Sequence, residues 1–179
     1  MEGENKMNEV MNAILTRRSV RSFINETIPE NILECIVEAG LHAPSGLGKK
    51  TWKFTVITNK DVIRQLAEAI SIQIGSNDYD MYNPAALIIP SNLKRSVWGK
   101  EDNACALENI FLAAHSYGIG SVWLNQLQDN CDSELIRPLL DRIGIPKDHV
   151  VYGMAALGYP DKSEPAPEYT AIGEVNWIK

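Results

Sequence analysis

The stretch "DNACALENIFLAAHSYGIGSVWL", residues 102–124, decides the fold. Apolar residues recur along 102–117 at helical spacing and over a length that predicts a central core helix. Gly118 and Gly120 then end this helix, and the β-branched and aromatic run at 121–125 predicts a strand. A core helix followed directly by a strand indicates helices packed on a sheet.

Patterns on both sides of this stretch alternate in the same way. Helical spacing predicts helices over 6–16, 27–41, 60–70 and 131–146, with Thr27 and Glu30 as a capping box for the second and Pro138 as a kink in the last. Strands are predicted at 52–58, 85–90 and 150–160 as well. Helices interleaved with strands predict an α/β or α+β class, and since no linker divides the 179 residues we expect one domain over 1–179.

Charge and composition exclude several function classes. A net charge of -6 argues against nucleic acid as a partner, because binding to the phosphate backbone needs a broad basic face. No apolar run approaches the roughly 18 residues of a membrane span, and the N-terminus does not resemble a signal peptide, so a cytoplasmic location is expected. Cys35, Cys105 and Cys131 lack metal-binding spacing, which predicts reduced, buried thiols and no metal site.

The segment "TRRSVRSF", residues 16–23, places Arg17, Arg18 and Arg21 within five positions of this acidic chain. Three neighbouring guanidinium groups repel one another unless an anion lies among them. Ser19 adds a hydroxyl and a backbone N–H, so the segment is suited to bind a phosphate. A second interpretation stays open, in which the arginines are surface residues paired with acids such as Glu26.

The loop "APSGLGKKT", residues 43–51, superficially resembles a nucleotide P-loop. That pattern requires Gly where Ala43 stands and Ser or Thr where Lys50 stands, and it opens a helix after a strand rather than the reverse. Two interpretations stay open: a flexible turn, or a loop whose Gly46 and Gly48 let the backbone approach a flat ligand. No motif for an acid, base or nucleophile is found, so no catalytic side chain is assigned and a cofactor with its own chemistry is favoured.

The C-terminal stretch "DKSEPAPEYTAIGEVNWIK", residues 161–179, begins with prolines and ends with apolar residues. Pro165 and Pro167 keep such a segment extended. The apolar finish is unfavourable in water, which predicts an arm that packs on another subunit.

Taken together, the motifs resemble those of the FMN-dependent nitroreductase family along nearly the whole chain. The similar stretches are "RRSVRSF", "AGLHAPSGLGKKTWKFTVI", "DNACALENIFLAAHSYGIGSVWL" and "MAALGYP", in the family's order. The resemblance implies an α+β three-layer sandwich with a mixed, mainly antiparallel central sheet flanked by helices. It also implies a homodimer that exchanges its C-terminal arms.

The resemblance further implies an FMN site. Residues expected to bind the phosphate and ribityl chain are Arg17, Arg18, Ser19 and Arg21. A loop reaching the flavin from the other subunit is matched by Pro44, Ser45 and Gly46. The strand end that lines the isoalloxazine is matched by Trp123, Leu124 and Asn125, and a further flavin contact by Asn77.

The implied activity is hydride transfer from NAD(P)H through FMN to a nitroaromatic, quinone or similar small acceptor by a ping-pong mechanism. A flavin-binding or storage protein without efficient turnover is the alternative, and a phosphate-binding protein without flavin is a third. The sequence departs from the family at two places. Family members often carry Asn and Gln-Pro where this chain has Gly48 and Lys50-Thr51, and Lys or Arg near Glu168 and Tyr169.

Overall fold

The computed structural model describes residues 8–161, 163 and 172–179. Within these residues the helices are α1 (Glu9–Thr16), α2 (Glu30–Leu41), α3 (Lys60–Ile74), α4 (Gly99–Ser116) and α5 (Arg137–Arg142), with a short 3-10 turn at Gly46–Gly48. The strands are β1 (Trp52–Ile57), β2 (Ala86–Leu93), β3 (Gly120–Leu124), β4 (His149–Val150) and β5 (Met154–Gly158).

The sheet has the strand order β1-β2-β5-β3. The short strand β4 lies outside this order and pairs with β2. Each pairing between named strands is antiparallel. One parallel contact is added by a residue outside the named strands: Ser19 forms an isolated parallel bridge with Ser121 of β3. The expected mixed, mainly antiparallel sheet is therefore confirmed.

β2 shows how the sheet separates two apolar layers. Alternate side chains of a strand point to opposite faces. Ile88 belongs to the core formed with α2 and α4, whereas Leu87 and Ile89 belong to the core formed with α3 and α5. Because both faces are covered, the strand is apolar at successive positions rather than alternating. This arrangement is the predicted three-layer α+β sandwich.

Gly40 lets α2 approach α4 closely. A Cβ built at this glycine would lie 2.9 Å from Ile110 Cγ1 and 3.0 Å from Phe54 Cε1. The glycine thus belongs to the buried stripe of α2, together with Leu33 and Ile36, and a larger residue there would push α2 away from α4.

Several sequence-based boundaries were wrong. Pro29, not Thr27, stands at the N-cap of α2, and no side chain caps that helix. The expected helix at 131–146 is reduced to α5, whose first turn contains Pro138, so this proline begins a helix rather than kinking one. The expected strand at 150–160 is divided into β4 and β5. Cys131 is buried as expected, but Cys35 and Cys105 are exposed, and all three are free thiols.

His149 makes the stability of the fold depend on pH. Its Nδ1 lies 3.0 Å from Ser91 Oγ inside the core. Burial is the main cause that lowers the pKa of His149, and the charge of Lys53 lowers it further; Asp148 and a hydrogen bond with Ser91 oppose the shift without reversing it. Since the unfolded chain then binds a proton more readily, stability is complete above about pH 6.5 and is lost as the pH falls through the lowered folded-state pKa.

We therefore expect the melting temperature to fall between pH 7.5 and pH 5, measured by differential scanning calorimetry. The His149→Gln variant should show a smaller fall, because it has no proton to gain. His42→Gln, at an exposed histidine after α2, is the control and should follow the wild type. An equal fall in His149→Gln would contradict the assignment.

Candidate cofactor-binding site

The arginine segment is held on the sheet by its own backbone. Val20 N–H donates to the carbonyl of Ser121 at 2.9 Å, and Ile24 N–H donates to the carbonyl of Tyr159 at 3.0 Å. Gly120 allows the approach, because a Cβ there would lie 2.8 Å from the Cβ of Val20. The segment is consequently fixed at the end of the sheet where β3 begins and β5 ends.

The start of this segment is also fastened to α4. Thr16 Oγ1 lies 2.6 Å from the carbonyl oxygen of Asn12 and 2.7 Å from His115 Nε2, within hydrogen-bond distance of both. Arg17 Nε lies 3.9 Å from Glu108 Oε1, a partly exposed ion pair of small energy. The end of α1 and its first arginine are thus attached to the C-terminal half of α4.

The three arginines have different surroundings. Arg18 Nη1 donates to the carbonyls of Leu15 and Arg17 at 2.8 Å, which satisfies acceptors at the end of α1. Arg21 is exposed and forms no ion pair with any residue of the described part of the chain. Burial lowers the pKa of His115, and the charges of Arg17 and Arg18 lower it further. The region is electropositive and suited to bind an anion.

Trp123 lies on the same layer as this positive region. Its side chain faces α4, where the ring centroid is 6.2 Å from that of Phe111 at an interplanar angle of 56°. Gly153 leaves room for the indole, since a Cβ at that glycine would lie 2.5 Å from Trp123 Cε2. The side chain remains 39% exposed. Arg17 and Trp123 therefore contact residues one turn apart on α4, Glu108 and Phe111.

The other residues predicted on this strand have different environments. Leu124 points into the core with α3 and is buried. Asn125, just past β3, is exposed, and its carbonyl accepts from Gln128 N–H at 3.1 Å. Ser121 Oγ is buried and has no hydrogen-bond partner among the described residues.

The loop after α2 has a defined shape. Gly46 N–H donates to Asp102 Oδ1 at 2.7 Å, and Lys50 N–H donates to Ser45 Oγ at 3.0 Å. Pro44 is exposed. As expected, the loop leads from a helix to a strand, which agrees with the exclusion of a P-loop.

A single protomer does not bring this loop to the arginines. The loop contacts Asp102 in the first turn of α4, whereas α1 contacts Glu108 and His115 further along. An α-helix rises 1.5 Å per residue, so Asp102 and His115 are about 20 Å apart along the axis. Asn77 also lies elsewhere, in the turn after α3 on the opposite layer. Glu168 and Tyr169 are outside the described residues.

Sequence reasoning missed Asp102, although a signal was present. Asp102 precedes Ala106, Ile110 and Ala114 at intervals of four, and these three residues form a buried stripe of α4. A carboxylate at a position of this stripe points to a buried partner. Glu108 and His115 gave no comparable signal, because neither belongs to this buried stripe.

The model of the Nitroreductase family matches residues 14–159. The chain belongs to this family, and its fold is the nitroreductase fold. A nitroreductase from Bacteroides fragilis, crystallised with bound FMN, is 38% identical, with a TM-score of 0.90 over 96% of this chain and 100% of that chain.

Two relatives extend the comparison. A relative from Archaeoglobus fulgidus, named as an NADH dehydrogenase/NAD(P)H nitroreductase, is 33% identical over 160 residues, which is 86% of this chain and 87% of the relative. The FMN reductase [NAD(P)H] of Bacillus subtilis is 26% identical over 183 residues, covering 90% of this chain and 70% of the relative. Among the described residues, no helix has the length and apolar character needed to cross a bilayer.

Proposed function

We propose that this chain is an FMN-dependent oxidoreductase that takes a hydride from NAD(P)H and reduces nitroaromatic, quinone or similar small acceptors. The observation that carries the proposal is the arginine segment fixed at the sheet end on the same layer as the partly exposed Trp123. The FMN-bound relative from Bacteroides fragilis supports it.

The residues present fit a ligand with a phosphate at one end. Arg17 and Arg21 supply guanidinium groups, and Ser19 supplies a hydroxyl on the segment that the sheet holds in place. Each charge-assisted hydrogen bond to a phosphate contributes about 1.5–3 kcal/mol. Arg18 adds positive charge while its Nη1 caps α1. We assign these four residues to the phosphate and ribityl chain of FMN.

The residues of β3 fit the flat end of such a ligand. Trp123 exposes part of its ring beside a strand end that leads to the exposed Asn125. We assign Trp123 and Asn125 to the isoalloxazine side of the site, with Leu124 contributing only its backbone because its side chain is buried in the core with α3. Asn77, on the opposite layer of this protomer, stays a proposed further contact. The chemistry that FMN supplies when bound is acceptance of a hydride and its passage to a second substrate.

Protein side chains then bind, orient and shield rather than exchange protons. We assign no side chain as acid or base. A ping-pong order follows if NAD(P)H and the acceptor use the same exposed face in turn. Lys49 and Lys50, both exposed in the loop, are proposed to attract the phosphates of NAD(P)H.

We propose a homodimer in which Pro44, Ser45 and Gly46 complete the site of the partner subunit. The separation of this loop from the arginines along α4 supports the proposal, because one protomer holds only part of the site. Several apolar side chains of α1 are also exposed to solvent in the single chain, among them Val10 and Ile14. A dimer would bury them.

The exchanged C-terminal arm has a suitable place to bind. A groove of about 940 Å³ runs between α2 and β1, with Leu33, Val37 and Val56 in its lining. β1 is an edge strand, so its outer backbone groups are available to an extended segment. We propose that residues 172–179 of one subunit occupy this groove on the other.

The absorption spectrum of the purified protein, before and after addition of NADPH or NADH, tests the function. Bleaching of a flavin band, followed by steady NAD(P)H oxidation on addition of a quinone or nitroaromatic, is expected. A flavin band without turnover would favour the storage function. No flavin uptake would overturn both. A cytoplasmic location stays a prediction.

A further inference from the structure

We propose that Asp102 is a positioning residue that holds the loop of residues 44–50 in the shape required for FMN binding. The inference rests on the proposed function, since it assigns a purpose to a loop that we place at the flavin. It concerns a side chain that reaches the loop from α4, and Asp102 itself need not contact the cofactor.

The loop needs an external support because its backbone is unfavourable. Leu47 has a φ of 55° and Lys50 a φ of 45°, in the left-handed region that residues with a Cβ rarely adopt. Gly48, with a φ of 65°, lies between them. Backbone of this kind persists only when neighbouring groups hold it in place.

Asp102 supplies that support at the start of the loop. Its side chain is buried, with 4% of the residue exposed, and Oδ1 accepts the N–H of Gly46 at 2.7 Å. The side chain of Trp98 covers Gly46 from the same helix end, and a Cβ at Gly46 would overlap it. Gly46 is thus held between a carboxylate and an indole.

A second buried anchor holds the end of the loop. Thr51 donates its hydroxyl to Asn92 Oδ1 at 2.6 Å, and Asn92 is fully buried on β2. Between the anchors, the bond from Lys50 N–H to Ser45 Oγ closes the loop on itself. Asp102 therefore supplies the side-chain hydrogen bond that connects the front of this closed loop to α4.

A carboxylate at position 102 is unfavourable for the packing of α4 and therefore needs a reason. An apolar residue would continue the stripe of Ala106, Ile110 and Ala114 without the desolvation cost of an acid. The first turn of a helix stabilises a negative charge, which offsets part of this cost. A charged acceptor also makes a stronger bond to the Gly46 N–H than a neutral one. A carboxylate at position 102 therefore stabilises the loop at the expense of apolar packing in the core.

Three variants test the inference. Asp102→Ala removes the acceptor, Asp102→Asn keeps one oxygen in the same place, and Glu101→Ala removes the exposed neighbouring charge from the same helical turn as a matched control. Should Asp102→Ala fail to fold, Asp102→Leu fills a similar space without an acceptor and provides the same comparison.

Two measurements are needed besides the melting temperature of each variant. Hydrogen exchange of the 44–50 peptide in flavin-free protein reports the protection of the loop's backbone amides, the Gly46 N–H among them, and quenching of FMN fluorescence gives the affinity. We expect Asp102→Ala to accelerate exchange and to weaken FMN binding about tenfold. Asp102→Asn should stay within roughly threefold of the wild type, and Glu101→Ala should match it.

The outcomes separate the two claims. If the wild type binds FMN and Asp102→Ala binds it equally well, the inference is overturned and the proposed function stands. Faster exchange with unchanged affinity also overturns it, because the loop shape would then be irrelevant to the cofactor. If the wild type binds no FMN, the proposed function fails and the role of Asp102 fails with it.

Discussion

Removal of residues 172–179 is expected to convert the proposed dimer into monomers. Four apolar side chains of this segment are between 71% and 95% exposed in the single chain: Ile172, Val175, Trp177 and Ile178. Full burial of such a side chain contributes about 1.5–3 kcal/mol. Even if the two arms are only partly buried in the dimer, their removal should raise the dimer dissociation constant by on the order of a thousandfold. Sedimentation velocity over a concentration series measures this change.

A control separates loss of the arm from loss of surface apolarity. Ile72→Ser removes an exposed apolar side chain from α3 and should leave the dimer intact. Circular dichroism should show that the truncated chain keeps its fold, since the described arm forms no strand of the protomer's own sheet. A truncated protein that stays dimeric at every concentration would contradict the arm exchange.

Arg17→Ala is expected to weaken FMN binding by roughly ten- to a hundredfold, from the loss of one or two charge-assisted hydrogen bonds. Arg21→Ala should have an effect of the same size. The ion pair of Arg17 with Glu108 is partly exposed and long at 3.9 Å, so its loss should change the stability of the variant little. Titration of the flavin-free protein with FMN, followed by fluorescence, gives the affinities.

Arg64→Ala is the matched control, because Arg64 is an exposed arginine on α3 with only surface ion pairs. Its FMN affinity should equal that of the wild type. Arg17→Lys keeps the charge but loses the planar fork of donors, so an intermediate loss is expected. Unchanged affinity in both Arg17→Ala and Arg21→Ala would refute the assignment of the arginine segment.

Those helices and strands were predictable from the sequence whose own residues show a helical or strand-like pattern of apolar side chains. α4 and β3 follow directly from the pattern of 102–124, and β2 from its run of apolar residues. α5 is shorter than its pattern because the residues before it form local turns, in which Ser133 N–H donates to the carbonyl of Asn130 and Ile136 N–H to that of Ser133. The thiol of Cys131 donates to the carbonyl of Leu127 and accepts from Val151 N–H, which fixes this stretch against the strand region.

The candidate site was predictable where its residues are consecutive. The arginine segment and Trp123 stand out because each belongs to a short motif. The distance between loop and arginines was not predictable, since it depends on where α4 meets α1 and α2. The same holds for Asp102, whose partner Gly46 is 56 positions away.

The attachment of the N-terminal arginines has a consequence for biosynthesis. Thr16 meets His115 across 99 positions, and Phe23 pairs with Pro160 beyond the last strand. Chains emerge from the ribosome N-terminus first, so this segment stays without these partners until synthesis has passed Pro160. The ordered anion site therefore forms only after β3 and β5 have been made and have folded, although its arginines are among the first residues of the chain to be synthesised.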